Sequence, residues 1–228
     1  MVDAVLLEWE GVLADTRAAR RDALRTALAA EGVAHTLSDD DEQLRGLGVA
    51  ASVRTVLRHM GCADATLAEL LVLRATRAFG ETLASGLVLL PGAGVFVERL
   101  QSRARVAVVT RASRAETETA LRLAGLEDAV TTLTCADDVA DEAPCAAAYA
   151  AACAKLSRVR PLAPRDALAA VDALPAIRAA RAAGLRVLAV GAPAHEAISA
   201  DAAVDTLAGA DAGTWIHSVG TTGAERAP

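Results

Sequence analysis

Two carboxylate side chains stand close to the start of the chain, in the stretch LLEWEGVLADT. Glu8 and Glu10 follow an apolar run, one tryptophan separates them, and Gly11 comes directly after. Carboxylate oxygens suit a hard cation such as Mg²⁺, and phosphoryl transfer depends on groups that are well positioned and cancel charge. The two acids therefore indicate phosphate chemistry at the end of a buried strand. The alternative is that both are solvated residues at that strand end.

Two further polar side chains follow apolar runs of the same kind. Thr110 comes after RVAVV, and Asp172 comes after ALAAV. In an open parallel sheet, ligands bind at the carboxyl ends of the strands. We therefore expect Thr110 and Asp172 to lie at one edge with Glu8, either as parts of a phosphate or cation site or simply as polar residues that cap strand ends.

The elements that would position these residues alternate along the chain. Continuous apolar runs of this length are typical of parallel strands that are covered on both faces. The predicted strands are 4–7, 105–110, 130–133, 167–171 and 186–190, and the predicted helices between them are 93–101, 115–124, 146–156 and 176–183. Such alternation predicts right-handed crossovers and a doubly wound α/β sheet.

Residues 17–85 break this alternation. They carry helical patterns, such as ARRDALRTALAAEGV and ASVRTVLRHMG, and no convincing strand. We therefore predict a small α-helical cap domain at 17–85, inserted after the first strand, and a core formed by 1–16 and 86–228. A helical pair packed on the sheet edge is the alternative.

The order of these motifs resembles the haloacid dehalogenase superfamily, above all its subfamily of phosphoglycolate phosphatases and β-phosphoglucomutases with a helical cap. The resemblance rests on acid-x-acid-Gly-x-Leu-x-Asp-Thr near the start, on RVAVVTRAS, and on AVDALPAIRAARAAGLRVLAVG. It covers nearly the whole chain. It implies a Rossmann-like α/β core, a phosphatase or phosphomutase type of hydrolase, Mg²⁺ as cofactor, and a small phosphorylated molecule as ligand.

The resemblance also implies a role for each candidate residue. Glu8 takes the position of the nucleophile and Glu10 that of the general acid/base. Thr110 takes the position that binds phosphoryl oxygens. Arg111 follows it and could supply positive charge, although it could equally be a surface cation. The implied metal ligands are Glu8, Glu10 and Asp172.

Four positions depart from the family pattern. Glutamate replaces aspartate at Glu8 and at Glu10, Ala143 stands where the family has a lysine, and Val171 replaces an acid. A misplacement of about 1 Å can cost on the order of 100-fold in rate. We therefore predict weak or no turnover. Two functions stay open: an impaired phosphatase-type hydrolase, and a non-catalytic member that acts as a binding or scaffolding module.

Composition restricts the partners. The net charge is −6 and no basic block is present, which argues against nucleic acid or an anionic membrane as a partner. No apolar stretch is long enough to span a bilayer, so we expect a cytoplasmic protein, as a monomer or a homodimer. The cysteines form no C-x-x-C pair, which favours buried thiols. The single lysine, Lys155, is expected on a solvated helix face.

Overall fold

A parallel sheet lies at the centre of the protein, for which the computed structural model describes residues 2–33, 44, 47–139 and 146–208. Its strands are β1 (Ala4–Glu8), β2 (Arg105–Val109), β3 (Thr132–Thr134), β4 (Ala167–Val171), β5 (Arg186–Val190) and β6 (Ala202–Val204). They lie in the order β3-β2-β1-β4-β5-β6, and every neighbouring pair is parallel. The first strand of the chain is therefore central, between β2 and β4.

Helices connect these strands. The described helices are α1 (Arg17–Ala30), α2 (Val49–His59), α3 (Ala65–Gly86), α4 (Ala93–Gln101), α5 (Arg114–Leu123), α6 (Ala146–Val159), α7 (Leu174–Ala182) and α8 (Ala194–Ala197). The alternation of parallel strands and helices confirms the predicted Rossmann-like α/β fold. None of the helices in the described ranges has the length and apolar character needed to cross a membrane.

The sheet separates two apolar cores, because successive side chains of a strand point to opposite faces. Val5 and Leu7 of β1 share one buried cluster with Leu24 of α1. Leu6 belongs to the other cluster, together with Tyr149 of α6. A strand buried on both sides needs apolar residues at nearly every position, which is why the strands read as continuous apolar runs.

In its described part, the segment predicted as a cap consists of helices joined by turns and loops. Between residues 17 and 85 the structure describes α1, α2 and α3 and no strand, and α1 and α2 both pack on α3. The buried face of α1 repeats at helical spacing and consists of Arg20, Ala23, Leu24, Ala27 and Leu28. The division into core and cap domains stays a prediction.

Differences from the sequence prediction concern short elements and boundaries. The strand β6 was missed because it has three residues and is only partly buried, which is too short for a periodic pattern. The helix α7 begins two residues earlier than predicted, with Pro175 in its first turn, where proline is well tolerated. Ala143 lies outside the described residues.

Candidate functional site

The carboxyl ends of β1 and β4 bring two acids together. The strands are adjacent and parallel, with Leu7 opposite Ala170, so Glu8 and Asp172 end up side by side. The backbone N–H of Asp172 donates a hydrogen bond to Oε2 of Glu8 at 3.4 Å. Two of the three predicted metal ligands therefore lie in contact at the predicted edge of the sheet.

Glu8 is partly buried at the end of β1 and both of its carboxyl oxygens accept hydrogen bonds from the protein. Its other oxygen, Oε1, accepts a hydrogen bond from the hydroxyl group of Tyr149 at 3.2 Å. Burial, and next the negative charge of Asp172, raise the pKa of Glu8 to about 8. The hydrogen bonds from Asp172 and Tyr149 and the charge of Arg111 oppose this shift. With no cation bound, this raised pKa favours the neutral form of Glu8, which is a poorer nucleophile than a carboxylate.

Gly11 allows the loop after β1 to pass close to Asp172. Its φ angle is +78°, in the left-handed region that favours glycine. A Cβ atom built on Gly11 would lie 2.0 Å from Oδ2 of Asp172, so a side chain there cannot coexist with this carboxylate. The glycine of the acid-x-acid-Gly motif thus has a steric reason in this structure.

Glu10 forms hydrogen bonds with Thr16, which directly precedes α1, and with Arg20 of α1. Its Oε1 accepts a hydrogen bond from the backbone N–H of Thr16 at 2.8 Å. Its Oε2 accepts from the Thr16 hydroxyl at 2.5 Å and from Nη2 of Arg20 at 2.9 Å. Both oxygens are therefore engaged within the protein, and the predicted roles of Glu10 as acid/base and as metal ligand stay predictions.

Thr110 and Arg111 follow β2 at the same edge. The Thr110 hydroxyl accepts a hydrogen bond from the N–H of Ala112 at 3.1 Å, which leaves its own proton able to bind an acceptor such as a phosphoryl oxygen. Burial lowers the pKa of Arg111, while attraction to Glu8 and Asp172 opposes that change. Arg111 therefore lies within electrostatic range of both acids, and its role as a phosphate clamp stays a prediction.

One of the inserted helices, α2, begins against the loop after β2. The helix α2 begins after Gly48, and a Cβ atom on Gly48 would lie 2.6 Å from the carbonyl oxygen of Arg111 and 3.0 Å from Cα of Ala112. Backbone of the predicted cap thus packs directly on the loop that carries Thr110 and Arg111.

Sequence reasoning missed the partners of the two glutamates. Neither Tyr149 nor Arg20 was singled out from the sequence. A signal for Arg20 exists, because it occupies the apolar stripe of α1, where a charged residue needs a partner. Tyr149 offers no such signal, since a tyrosine on a buried helix face is ordinary.

The contacts of Lys155 differ from those expected from the sequence. Its Nζ donates to the carbonyl oxygen of Leu133 at 2.6 Å and forms an ion pair with Asp138 at 2.8 Å. The side chain is 23% exposed, so the prediction of a solvated helix face was wrong. Lys155 instead joins α6 to the edge of β3.

In the described part of the chain, Glu8, Glu10 and Asp172 stay the predicted metal ligands. Among residues 2–33, 44, 47–139 and 146–208, no group of three or more His, Cys, Asp or Glu side chains is arranged to hold a metal ion. Glu8 and Asp172 lie together, and Glu10 is engaged elsewhere.

Comparisons with solved structures agree with this fold. The chain is similar to CbbY from Rhodobacter sphaeroides in complex with phosphate, with 27% identity over 91% of this chain and 96% of that chain and a TM-score of 0.80. It shares the fold of a β-phosphoglucomutase from Clostridium difficile, with 17% identity over 96% and 97% of the two chains and a TM-score of 0.81. The chain also shares the fold of a predicted phosphoglycolate phosphatase from Haemophilus somnus, with 18% identity over 91% of this chain and 95% of that chain and a TM-score of 0.76.

Comparison with curated protein sequences gave no significant match. The family comparison was decisive, because the model for haloacid dehalogenase-like hydrolases matches residues 5–190. That range spans every strand from β1 to β5 and the loops that carry the candidate site. The chain therefore belongs to the haloacid dehalogenase-like hydrolase family.

Proposed function

We propose that this protein binds a phosphomonoester or sugar phosphate at the carboxyl edge of its sheet and has weak or no phosphatase or phosphomutase turnover. The contacts of Glu8 carry the proposal. Its two carboxyl oxygens are engaged by Tyr149 and by the backbone of Asp172, so the group at the nucleophile position is committed to the protein.

The binding part of the proposal is supported by the groups after β2. The Thr110 hydroxyl can donate to a phosphoryl oxygen, and Arg111 provides a planar cation that suits phosphate. CbbY, at 27% identity, is described in complex with phosphate. A phosphorylated small molecule is therefore the ligand class that this edge fits best.

Mg²⁺ fits part of the predicted ligand set. Asp172 offers a carboxylate of the kind that Mg²⁺ takes, and Glu8 beside it would serve as a second ligand only in its ionised form, since Mg²⁺ needs only one or two carboxylates from a protein. The Glu10 carboxylate does not fit, because Thr16 and Arg20 hold it. When bound, the cation would supply positive charge to the phosphoryl oxygens.

The chemical step would demand a rearrangement of this chain's own groups. For Glu8 to attack phosphorus, it must lose its proton and leave the Tyr149 hydroxyl. One carboxylate oxygen would then bond to phosphorus while the ester oxygen departs, and that oxygen needs a proton. Glu10, the family's acid at this position, would have to leave Thr16 and Arg20 to provide it. Each rearrangement adds to the barrier.

A second function is favoured by the contacts of Glu10. Because both of its oxygens are bound by Thr16 and Arg20, Glu10 can hold the fold together without taking part in chemistry. We expect such contacts at this acid in a non-catalytic family member that acts as a binding or scaffolding module.

Turnover and binding can be measured side by side. A panel of phosphate esters with Mg²⁺ is assayed for released phosphate, and inorganic phosphate binding is followed by calorimetry, for the native protein and for Glu8→Asp, Glu8→Ala and Thr110→Val. We expect native turnover below the roughly 1–1,000 per second of ordinary enzymes. Shortening the side chain in Glu8→Asp removes its reach to Tyr149 and should raise turnover about tenfold or more.

The outcomes separate the two functions. Phosphate binding that Thr110→Val weakens, together with slow turnover that Glu8→Ala abolishes, supports the impaired hydrolase. Binding without turnover in native protein and in Glu8→Asp supports the binding module. Native turnover at ordinary enzyme rates that depends on Glu8, or no phosphate binding at all, would contradict the proposal.

A further inference from the structure

Glu10 and Arg20 form a buried ion pair between the loop after β1 and the first inserted helix. Nη2 of Arg20 lies 2.9 Å from Oε2 of Glu10, and the two side chains are 8% and 14% exposed. Nη2 also donates to the Thr16 hydroxyl at 3.2 Å, and that hydroxyl donates to Glu10. The three side chains thus form a closed network.

Arg20 extends this network to a second inserted helix. Its guanidinium carbon lies 5.4 Å from the ring centre of Phe79, within the range of a cation–π contact. Phe79 belongs to α3 and is buried, and α3 packs along α1. One side chain therefore connects the loop after β1 to both long helices of the insertion.

We propose that the Glu10–Arg20 pair is a latch that fixes α1 and α3 on the loop after β1. The pair is buried, so removing one member leaves the other charge without compensation, which is far more costly than losing an exposed pair. The proposal of a latch rests only on these contacts, and it does not depend on whether the protein turns over a phosphate ester.

A double-mutant cycle tests the latch. Glu10→Gln keeps the size of the side chain and can still accept from Thr16, and Arg20→Met keeps an apolar stem against Phe79. We expect each single variant to lower Tm by about 6 °C or more. The double variant should lie close to the single variants, because no unpaired charge remains. Arg20→Lys should recover part of the loss.

An exposed pair on the same helix provides the control. Arg25 and Asp22 are 3.4 Å apart, with side chains 43% and 62% exposed. The matched variants Arg25→Met and Asp22→Asn should change Tm by no more than about 2 °C and show no coupling.

Hydrogen exchange supplies a readout beyond global stability. Under native conditions we expect amides of α1 and α3 to exchange about tenfold faster or more in Arg20→Met, while amides of β4 and β5 keep their native rates. Additive Tm losses in the cycle would overturn the proposal. An Arg20→Met protein no less stable than Arg25→Met, or faster exchange spread evenly over the sheet, would overturn it too.

Discussion

At the scale of single residues, one added methylene changes what the acid at the end of β1 can reach. A glutamate extends one carbon–carbon bond, about 1.5 Å, beyond an aspartate. In this structure Glu8 accepts a hydrogen bond from the hydroxyl group of Tyr149 on α6. The carboxyl is partly buried and lies beside Asp172, and this environment favours its neutral form.

The pH dependence of stability should report this neutral form. Burial raises the pKa of Glu8 to about 8 from 4.5, so between these values the folded state holds a proton that the unfolded state has released. The free energy of unfolding should therefore fall as pH rises through this window, by an amount on the order of several kcal/mol. Urea unfolding of native protein and Glu8→Gln from about pH 5 to pH 8, with EDTA present, measures the difference. Equal slopes for the two proteins would refute a buried neutral Glu8.

At the scale of elements, the loop after β1 is a compact turn closed by its own backbone. The N–H groups of Leu13 and Ala14 donate to the carbonyl oxygen of Trp9 at 3.1 and 3.0 Å, and Gly11 donates to Ala14 at 3.0 Å. The turn brings Gly11 against Asp172, at the end of β4. The shape of this turn and its close contact with the end of β4 therefore both depend on Gly11, which has no side chain.

Gly11→Ala should be more harmful than a positive φ angle alone explains. Gly125 has a φ of +68° with nothing within 4 Å of a built Cβ, so Gly125→Ala gives the cost of backbone strain by itself. We expect roughly 1 kcal/mol for Gly125→Ala and about 2–4 kcal/mol for Gly11→Ala, since the latter must also displace the Asp172 carboxylate. Urea unfolding of both variants measures this, and equal losses would mean that the contact with Asp172 costs nothing.

Strands could be predicted from the sequence where their own residue composition determines them. Apolar runs revealed β1, β2, β4 and β5, because strands covered on both faces need apolar residues throughout. Glu8 and Asp172 could be placed together because the carboxyl ends of parallel strands share an edge. Tyr149 and Arg20 could not be paired with the glutamates, since that pairing depends on how α6 and α1 are rotated and packed against the sheet.

At the scale of the whole molecule, the inserted helices and the sheet meet at a backbone contact. Gly48, before α2, has no room for a side chain against the carbonyl oxygen of Arg111. Its φ angle of −69° is ordinary, so the requirement for glycine comes from the approach of two segments and not from local geometry. The contact between Gly48 and Arg111 therefore limits how closely α2 approaches the loop after β2.

Gly48→Ala should therefore push α2 away from the sheet. We expect a loss of about 1–3 kcal/mol in the free energy of unfolding and faster hydrogen exchange in α2. Gly80→Ala is the control, because Gly80 lies inside α3 with nothing within 4 Å, and alanine there should stabilise the helix by roughly 0.5–1 kcal/mol. If the two substitutions change stability in the same direction, the contact with Arg111 does not limit the approach of α2.

The central place of β1 has a consequence for how the protein is made. Ala4 pairs with Arg105 on one side and with Ala167 on the other, so β1 leaves the ribosome well before β4, the later of its two neighbours, has been translated. At roughly 5–20 residues per second, that interval lasts on the order of ten to thirty seconds. During it the apolar segment AVLLE keeps an open edge that other nascent chains can contact. The yield of folded protein in a cell will therefore depend on translation speed and chaperone supply as well as on the stability of the finished sheet.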